Sequence, residues 1–129
     1  MFGDFDLKNI NLATWEGANY IDRWTIPHIV TGFTLALLFP FLGFSRRTSF
    51  FIAAVLIVMW EVYEIAMGIY EPEVNRIMDV VAGLVGYGFG FLVNEKNSTE
   101  VKKYSLIVGF LVGVITSAIG WLAYIGGAR

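Results

Sequence analysis

Four long apolar runs, separated by short polar connectors, constrain this chain more than any other feature of its sequence. They cover about residues 24–44, 50–70, 77–94 and 104–126. A helix rises 1.5 Å per residue, so runs of roughly 18 to 23 residues can cross about 30 Å of hydrocarbon. Lipid cannot satisfy the edge of an open sheet. The sequence therefore predicts an all-α, polytopic membrane protein, an antiparallel four-transmembrane-helix bundle.

The composition supports the same class of protein. Hydrophobic residues make up 57% of the 129 residues and charged residues 16%, which is too little polar surface for a soluble domain of this size. A net charge of −2 argues against a nucleic-acid partner. The absence of cysteine from the sequence excludes disulfides and thiolate metal ligands.

The segment before the first run, residues 1–23, differs in character from the four spans of the transmembrane domain, residues 24–126. Its start carries Asp4 and Asp6 rather than the basic residues of a signal peptide, so we predict no cleaved leader. Residues 7–20 mix apolar and polar side chains and are too few to span a membrane. We predict an interfacial helix or loop there, with Asn11 or Thr14 as a helix cap.

Basic residues predict the orientation of the bundle. The first connector carries Arg46 and Arg47, and the third carries Lys96, Lys102 and Lys103. Both connectors fall on one side of the membrane, and lysine and arginine favour the cytoplasmic side. We therefore expect an integral protein of the cell membrane with both termini extracytoplasmic.

Ionisable residues of three of the four spans fall in the same leaflet. Glu61 and Glu64 share one face of the second span, His28 lies one turn into the first, and Asp79 lies just inside the third. Asn75, four residues before Asp79, shares its face. A charge at the centre of a membrane helix costs about 2.5 to 3.5 kcal/mol unless it pairs or meets water. The sequence therefore predicts one polar pocket, shared between helices and open to the outer interface.

Small residues repeat at helical spacing in the third and fourth spans. The positions concerned are Gly83, Gly86 and Gly90, which continue the stripe of Asp79, and Gly109 and Gly113. Such stripes let helix backbones approach closely. They predict close packing within the bundle and offer faces for a homo-oligomer or a larger membrane complex.

The candidate site residues support several kinds of chemistry. His28, Glu61, Glu64 and Asp79 together suit a divalent metal such as Zn²⁺, Mn²⁺ or Fe²⁺, and the same four are the candidate catalytic residues if the metal activates water. A hydrogen-bonded polar knot that holds the bundle together is the structural alternative. A proton relay is a third alternative.

A second set of residues suits an anionic ligand. The guanidinium groups of Arg23 and Arg76 match phosphate oxygens, although ion pairs with Asp22 and Glu73 are the structural alternative. The candidate ligand-binding residues are Arg23, His28, Glu64, Asn75, Arg76 and Asp79.

These motifs, in this order, resemble the VanZ-like integral membrane proteins. The resemblance covers about residues 23–90 and rests on three elements: His28-xxx-Gly32, Glu61-xx-Glu64, and Asn75-Arg76-xx-Asp79-xxx-Gly83-xx-Gly86. Many of those proteins carry Glu-xx-Gln in place of Glu-xx-Glu, and "WEVYE" is similar to related membrane families with Trp-Glu-xx-Glu. The resemblance implies a cell-envelope setting and a link to tolerance of glycopeptide antibiotics such as teicoplanin.

The sequence thus predicts a VanZ-like envelope protein whose pocket binds a membrane lipid, either an anionic lipid or a lipid-linked phosphate. A metal-dependent membrane hydrolase acting on a lipid-linked phosphate is the first alternative. A structural subunit of a larger membrane complex is the second.

The predicted orientation can be tested by single-cysteine labelling, since the chain has no cysteine of its own. We expect Ser45→Cys, in the first connector, to react with an impermeant maleimide only after the cells are opened. Labelling of intact cells would show that the orientation is inverted.

Overall fold

The computed structural model describes residues 13–15, 18–21, 24–69 and 71–125, and within these it describes side chains over 21, 24–69 and 71–122. Four α-helices form the bundle: α1 Thr25–Phe41, α2 Arg46–Ala66, α3 Glu73–Lys96 and α4 Thr99–Ile125. Successive helices run antiparallel, so the predicted all-α, four-helix membrane bundle is confirmed. Large apolar side chains are exposed along α2, α3 and α4, as expected of helices that face lipid.

The first helix is shorter than the run that predicted it. Three helices, α2, α3 and α4, are long and apolar enough to cross a membrane, whereas α1 has 17 residues. It ends at Phe41 rather than near residue 44 because Gly43 turns the chain with a φ of +92°, a conformation that favours glycine. The N–H of Leu42 still donates to the carbonyl of Leu38, which closes the last turn.

A β-hairpin precedes the bundle where a helix or loop was expected. Strands β1 Ala13–Trp15 and β2 Ala18–Ile21 pair antiparallel, and β2 contacts α3. The helix alternative over residues 7–20, capped at Thr14, is therefore wrong for the described part of the segment, and Asn11 lies outside it. Threonine and aromatic residues, such as Thr14 and Tyr20, favour strands.

Helix α1 is the centre of the bundle and contacts each of the other three helices. It runs parallel to α3, because Thr25 lies beside Asp79 at one end and Ala36 lies beside Gly90 at the other. Glycines make this contact close: a methyl group added at Gly32 would overlap the carbonyl of Gly83, and one added at Gly86 would overlap that of Ile29. Backbone therefore packs directly on backbone between α1 and α3.

The other two helices pack antiparallel around this pair. On α2, Ile57 packs over Gly83, and Phe50 contacts Tyr87 with ring centroids 5.5 Å apart. On α4, Gly120 receives the ring of Trp24. The apolar core, formed by Ala36, Phe39, Ala53 and Tyr87, lies in the half of the bundle where α1 ends.

Two glycine substitutions on α3 test whether the close contact with α1 contributes to stability. We expect Gly86→Ala to lower the stability of the bundle by about 1 to 3 kcal/mol, because overpacking against a backbone carbonyl forces the helices apart. Gly88→Ala is the control, since open space surrounds that position. The measurement is the thermal unfolding midpoint in detergent, and equal midpoints for the two variants would contradict the contact.

Candidate functional site

Three helices bring His28, Glu61 and Asp79 together at the end of the bundle where α1 and α3 begin and α2 ends. The Nε2 atom of His28 lies 3.6 Å from Oε1 of Glu61 and 3.7 Å from Oδ2 of Asp79. One ligand atom from each side chain lies within 4.8 Å of the other two. All three residues are buried, with relative exposures of 7%, 5% and 0%. We refer to His28, Glu61 and Asp79 as the ionisable cluster.

Local hydrogen bonding fixes the position of one member of the cluster. The hydroxyl of Thr25 donates to Oδ1 of Asp79 across 3.0 Å, and both residues are buried. Thr25 lies three residues before His28, so the same face of α1 carries both side chains toward α3. Thr25 was missed as a site residue, although its helical spacing from His28 was the signal for it.

A second group of carboxylates adjoins the cluster through Glu61. Ligand oxygens of Glu61, Glu64 and Glu71 also lie within 4.8 Å of one another. The indole N–H of Trp60 donates to Oε1 of Glu64 across 2.7 Å. Glu71, partly buried between α2 and α3, was missed because a carboxylate in a polar connector has no helical register to indicate its direction.

Asn75 lies one turn before Asp79 on the same face of α3. It is 1% exposed, and neither its amide oxygen nor its amide nitrogen has a hydrogen-bond partner among the described residues. A buried amide without a partner carries a desolvation cost of about 1 to 3 kcal/mol. Such a group adjoining an ionisable cluster is chemically consistent with a ligand that the amide binds.

The candidate arginines have different outcomes. Arg76 is partly buried and donates to the carbonyl of Ile69 across 3.3 Å, and no ion pair with Glu73 occurs among the described contacts. Arg23 and its alternative partner Asp22 lie outside the described residues. Arg76 therefore lies near the cluster's end of α3.

Carboxylates outnumber imidazoles in this part of the described structure. Glu61 and Asp79 lie beside His28, and Glu64 and Glu71 adjoin Glu61. Burial makes like charges repel more strongly than they do in water. Oxygen and imidazole ligands grouped in this way are of the kind that divalent cations bind.

An apolar groove runs from the ionisable cluster along the surface of α1. It encloses about 340 Å³ between α1, α2 and α4. Apolar and aromatic side chains dominate its wall, including Trp24, Trp60 and Trp121, and His28 also lines it. The rings of Trp24 and Trp121 pack edge to face with centroids 5.8 Å apart.

The chain matches no protein-family model, no curated protein and no solved structure. The VanZ-like resemblance therefore stays a hypothesis that rests on the order of the motifs in the sequence.

The hydrogen bond between Thr25 and Asp79 generates a prediction about stability. We expect Thr25→Val to destabilise the bundle by about 1 to 2 kcal/mol, because it removes a donor to a buried carboxylate. Thr25→Ser keeps the hydroxyl and serves as the matched control. Thermal unfolding in detergent measures both variants, and a valine variant as stable as the serine variant would argue against this bond.

Proposed function

We propose that this chain is a VanZ-like protein of the cell membrane whose ionisable cluster holds a divalent cation. Through that cation the protein binds the phosphate of an anionic lipid or a lipid-linked phosphate. The distribution of lysine and arginine favours an extracytoplasmic position for the site. The order of the His, Glu-xx-Glu and Asn-Arg-xx-Asp motifs supports the family assignment.

The observation that carries the cation proposal is the convergence of ligand atoms in the ionisable cluster. One imidazole nitrogen and two carboxylate oxygens, from three different helices, lie within 4.8 Å of one another in a buried position. The separations of 3.6 and 3.7 Å from His28 exceed hydrogen-bond distances. Two ligands bound at about 2.1 Å to a tetrahedral ion lie roughly 3.4 Å apart, so these separations suit an ion between them.

The donor set indicates which cations fit. One nitrogen and two oxygens suit Zn²⁺, Mn²⁺ or Fe²⁺. Asn75, one turn before Asp79 on the same face of α3, offers an amide oxygen, a neutral ligand of the kind that harder cations accept. Two carboxylates and a neutral imidazole balance the charge of a divalent ion.

The depth of the cluster suits a lipid headgroup. His28 lies three residues from the start of α1, and Glu61 lies five residues before the end of α2. At 1.5 Å per residue these positions are about 5 to 8 Å inside the helix ends, close to the boundary between headgroups and acyl chains. A cation with open coordination positions at this depth can bind the phosphate of a lipid that stays in the membrane.

Hydrolysis of the bound phosphate ester is the second candidate function, and the second carboxylate group favours it. Glu64 and Glu71 lie beside Glu61, where either carboxylate can accept a proton from water bound to the cation. The water oxygen forms a bond to phosphorus, the ester oxygen leaves with its electron pair, and it then takes up a proton. A protein that binds a lipid phosphate and one that cleaves it share the ionisable cluster and differ in this step.

Metal content tests the proposal directly. We expect purified protein loaded with Zn²⁺ or Mn²⁺ to retain about one ion per chain, and we expect His28→Gln and Asp79→Asn to lose it, because three protein ligands define a minimal site. Glu95→Gln is the control, since Glu95 pairs with Arg46 near the end of α3. The measurement is elemental analysis after gel filtration, followed by the thermal shift that lysophosphatidic acid produces with and without EDTA.

Four outcomes are informative. A wild-type protein that retains no ion contradicts the cation site, and a lipid shift that EDTA leaves unchanged contradicts phosphate binding through the cation. Inorganic phosphate released from lysophosphatidic acid by wild type, but not by metal-loaded Glu64→Gln, favours the hydrolase. Variants that lose only stability would leave the cluster as a structural knot, as in a subunit of a larger membrane complex.

A further inference from the structure

We propose that the apolar groove between α1, α2 and α4 binds the hydrocarbon tail of the lipid phosphate, so that one molecule occupies the ionisable cluster and the groove together. This inference rests on the proposed function and narrows its ligand to a single-chain lipid phosphate. The lipid enters sideways from one leaflet, between α2 and α4.

The extent of the groove matches one leaflet. Its lining on α1 runs from Trp24 to Leu35, which is roughly 16 Å at 1.5 Å per residue. The hydrocarbon core of a bilayer is about 30 Å thick, so one leaflet contributes roughly 15 Å. From His28 in the ionisable cluster the groove continues for about 10 Å along α1 to Leu35. A tail that starts at the cluster therefore ends near the middle of the bilayer and stays within its own leaflet.

Two side chains connect the groove to the ionisable cluster and to the carboxylate that adjoins it. His28 lines the groove and lies 3.6 Å from Glu61 through its Nε2 atom. Trp60 lines the groove with its ring and donates its indole N–H to Glu64. A phosphate bound at the cluster therefore has its tail beside the part of the groove that His28 and Trp60 line.

The size and chemistry of the groove select the tail. Its volume of about 340 Å³ is near the lower end of the range of about 300 to 1,000 Å³ typical of small-ligand pockets. That volume suits one chain rather than the two acyl chains of a common phospholipid. The flat faces of Trp24, Trp60 and Trp121 offer contact area to hydrocarbon at little conformational cost.

Because tryptophans line the groove, quenching of tryptophan fluorescence can measure binding of a tail there. Three of the four tryptophans of the chain line the groove, and Trp15→Phe removes the fourth. The probe is a single-chain lysophosphatidic acid with bromine atoms on its tail, added to metal-loaded Trp15→Phe protein in detergent. We expect saturable quenching of tryptophan fluorescence, because bromine in the groove lies against all three indoles.

Two comparisons separate the tail site from the phosphate site. EDTA, or a lysophosphatidylcholine with the same brominated tail, should raise the half-saturating concentration at least about tenfold, which corresponds to 1.4 kcal/mol. Ser117→Phe, which fills the groove from α4, should abolish saturable quenching while the protein retains its metal ion. Ser105→Phe, three turns earlier on α4 and outside the groove, is the matched control.

Each other result contradicts the inference. Quenching that never saturates, or that saturates equally without metal, shows that the tail and the phosphate are not bound as one ligand. A dimer in which a second copy of the chain covers the groove and excludes the probe also contradicts the inference. Loss of metal from wild type contradicts the proposed function itself, whereas a retained ion without saturable quenching overturns only the groove.

Discussion

The direct backbone contact between α1 and α3 is the constraint on which the rest of the structure depends. Gly32 and Gly86 let each helix approach the carbonyl groups of the other, and the two helices run parallel. Because parallel helices begin at the same end, the first turns of α1 and α3 lie side by side. This places Thr25 and His28 against Asp79, a juxtaposition that a larger residue at either glycine would open.

Burial of ionisable groups opposes this packing, and the two effects must be considered together. Asp79 is fully buried, and Glu61 and His28 are nearly so, so their desolvation costs several kcal/mol per charged group before any pairing. A cation bound only by the folded bundle stabilises it by an amount that grows with the cation's concentration. The same side chains would thus link ligand binding to the stability of α2 against the α1–α3 pair.

The sequence predicted the helices and their antiparallel order because length and hydropathy determine whether a run can span lipid. It did not predict the end of α1 at Phe41, where the turn at Gly43 prevails over continuing apolar character. Nor did it indicate the hairpin. The segment before the bundle is short and mixes apolar and polar residues, so its pattern does not distinguish a helix from strands. Spacing placed Glu61 and Glu64 on one face, and the bond from Trp60 to Glu64 also joins residues one turn apart on α2. The rotation of α2 about its axis, however, decides that Glu61 lies beside His28. Rotation depends on side-chain packing against α1 and α3, which sequence spacing does not contain.

The two halves of the bundle differ in the side chains that they bury, and the helix directions explain why. The half where α1 begins contains the ionisable cluster and the groove, whereas the half where α1 ends contains the uncharged core around Ala36, Ala53 and Tyr87. A core without charged groups stabilises the bundle whether or not a ligand is bound. Helix α2 crosses both halves, with Ala53 in the core and Glu61 in the cluster, and Trp60 faces the groove between α1, α2 and α4. Its packing in one half therefore fixes how its carboxylate and indole meet a ligand in the other.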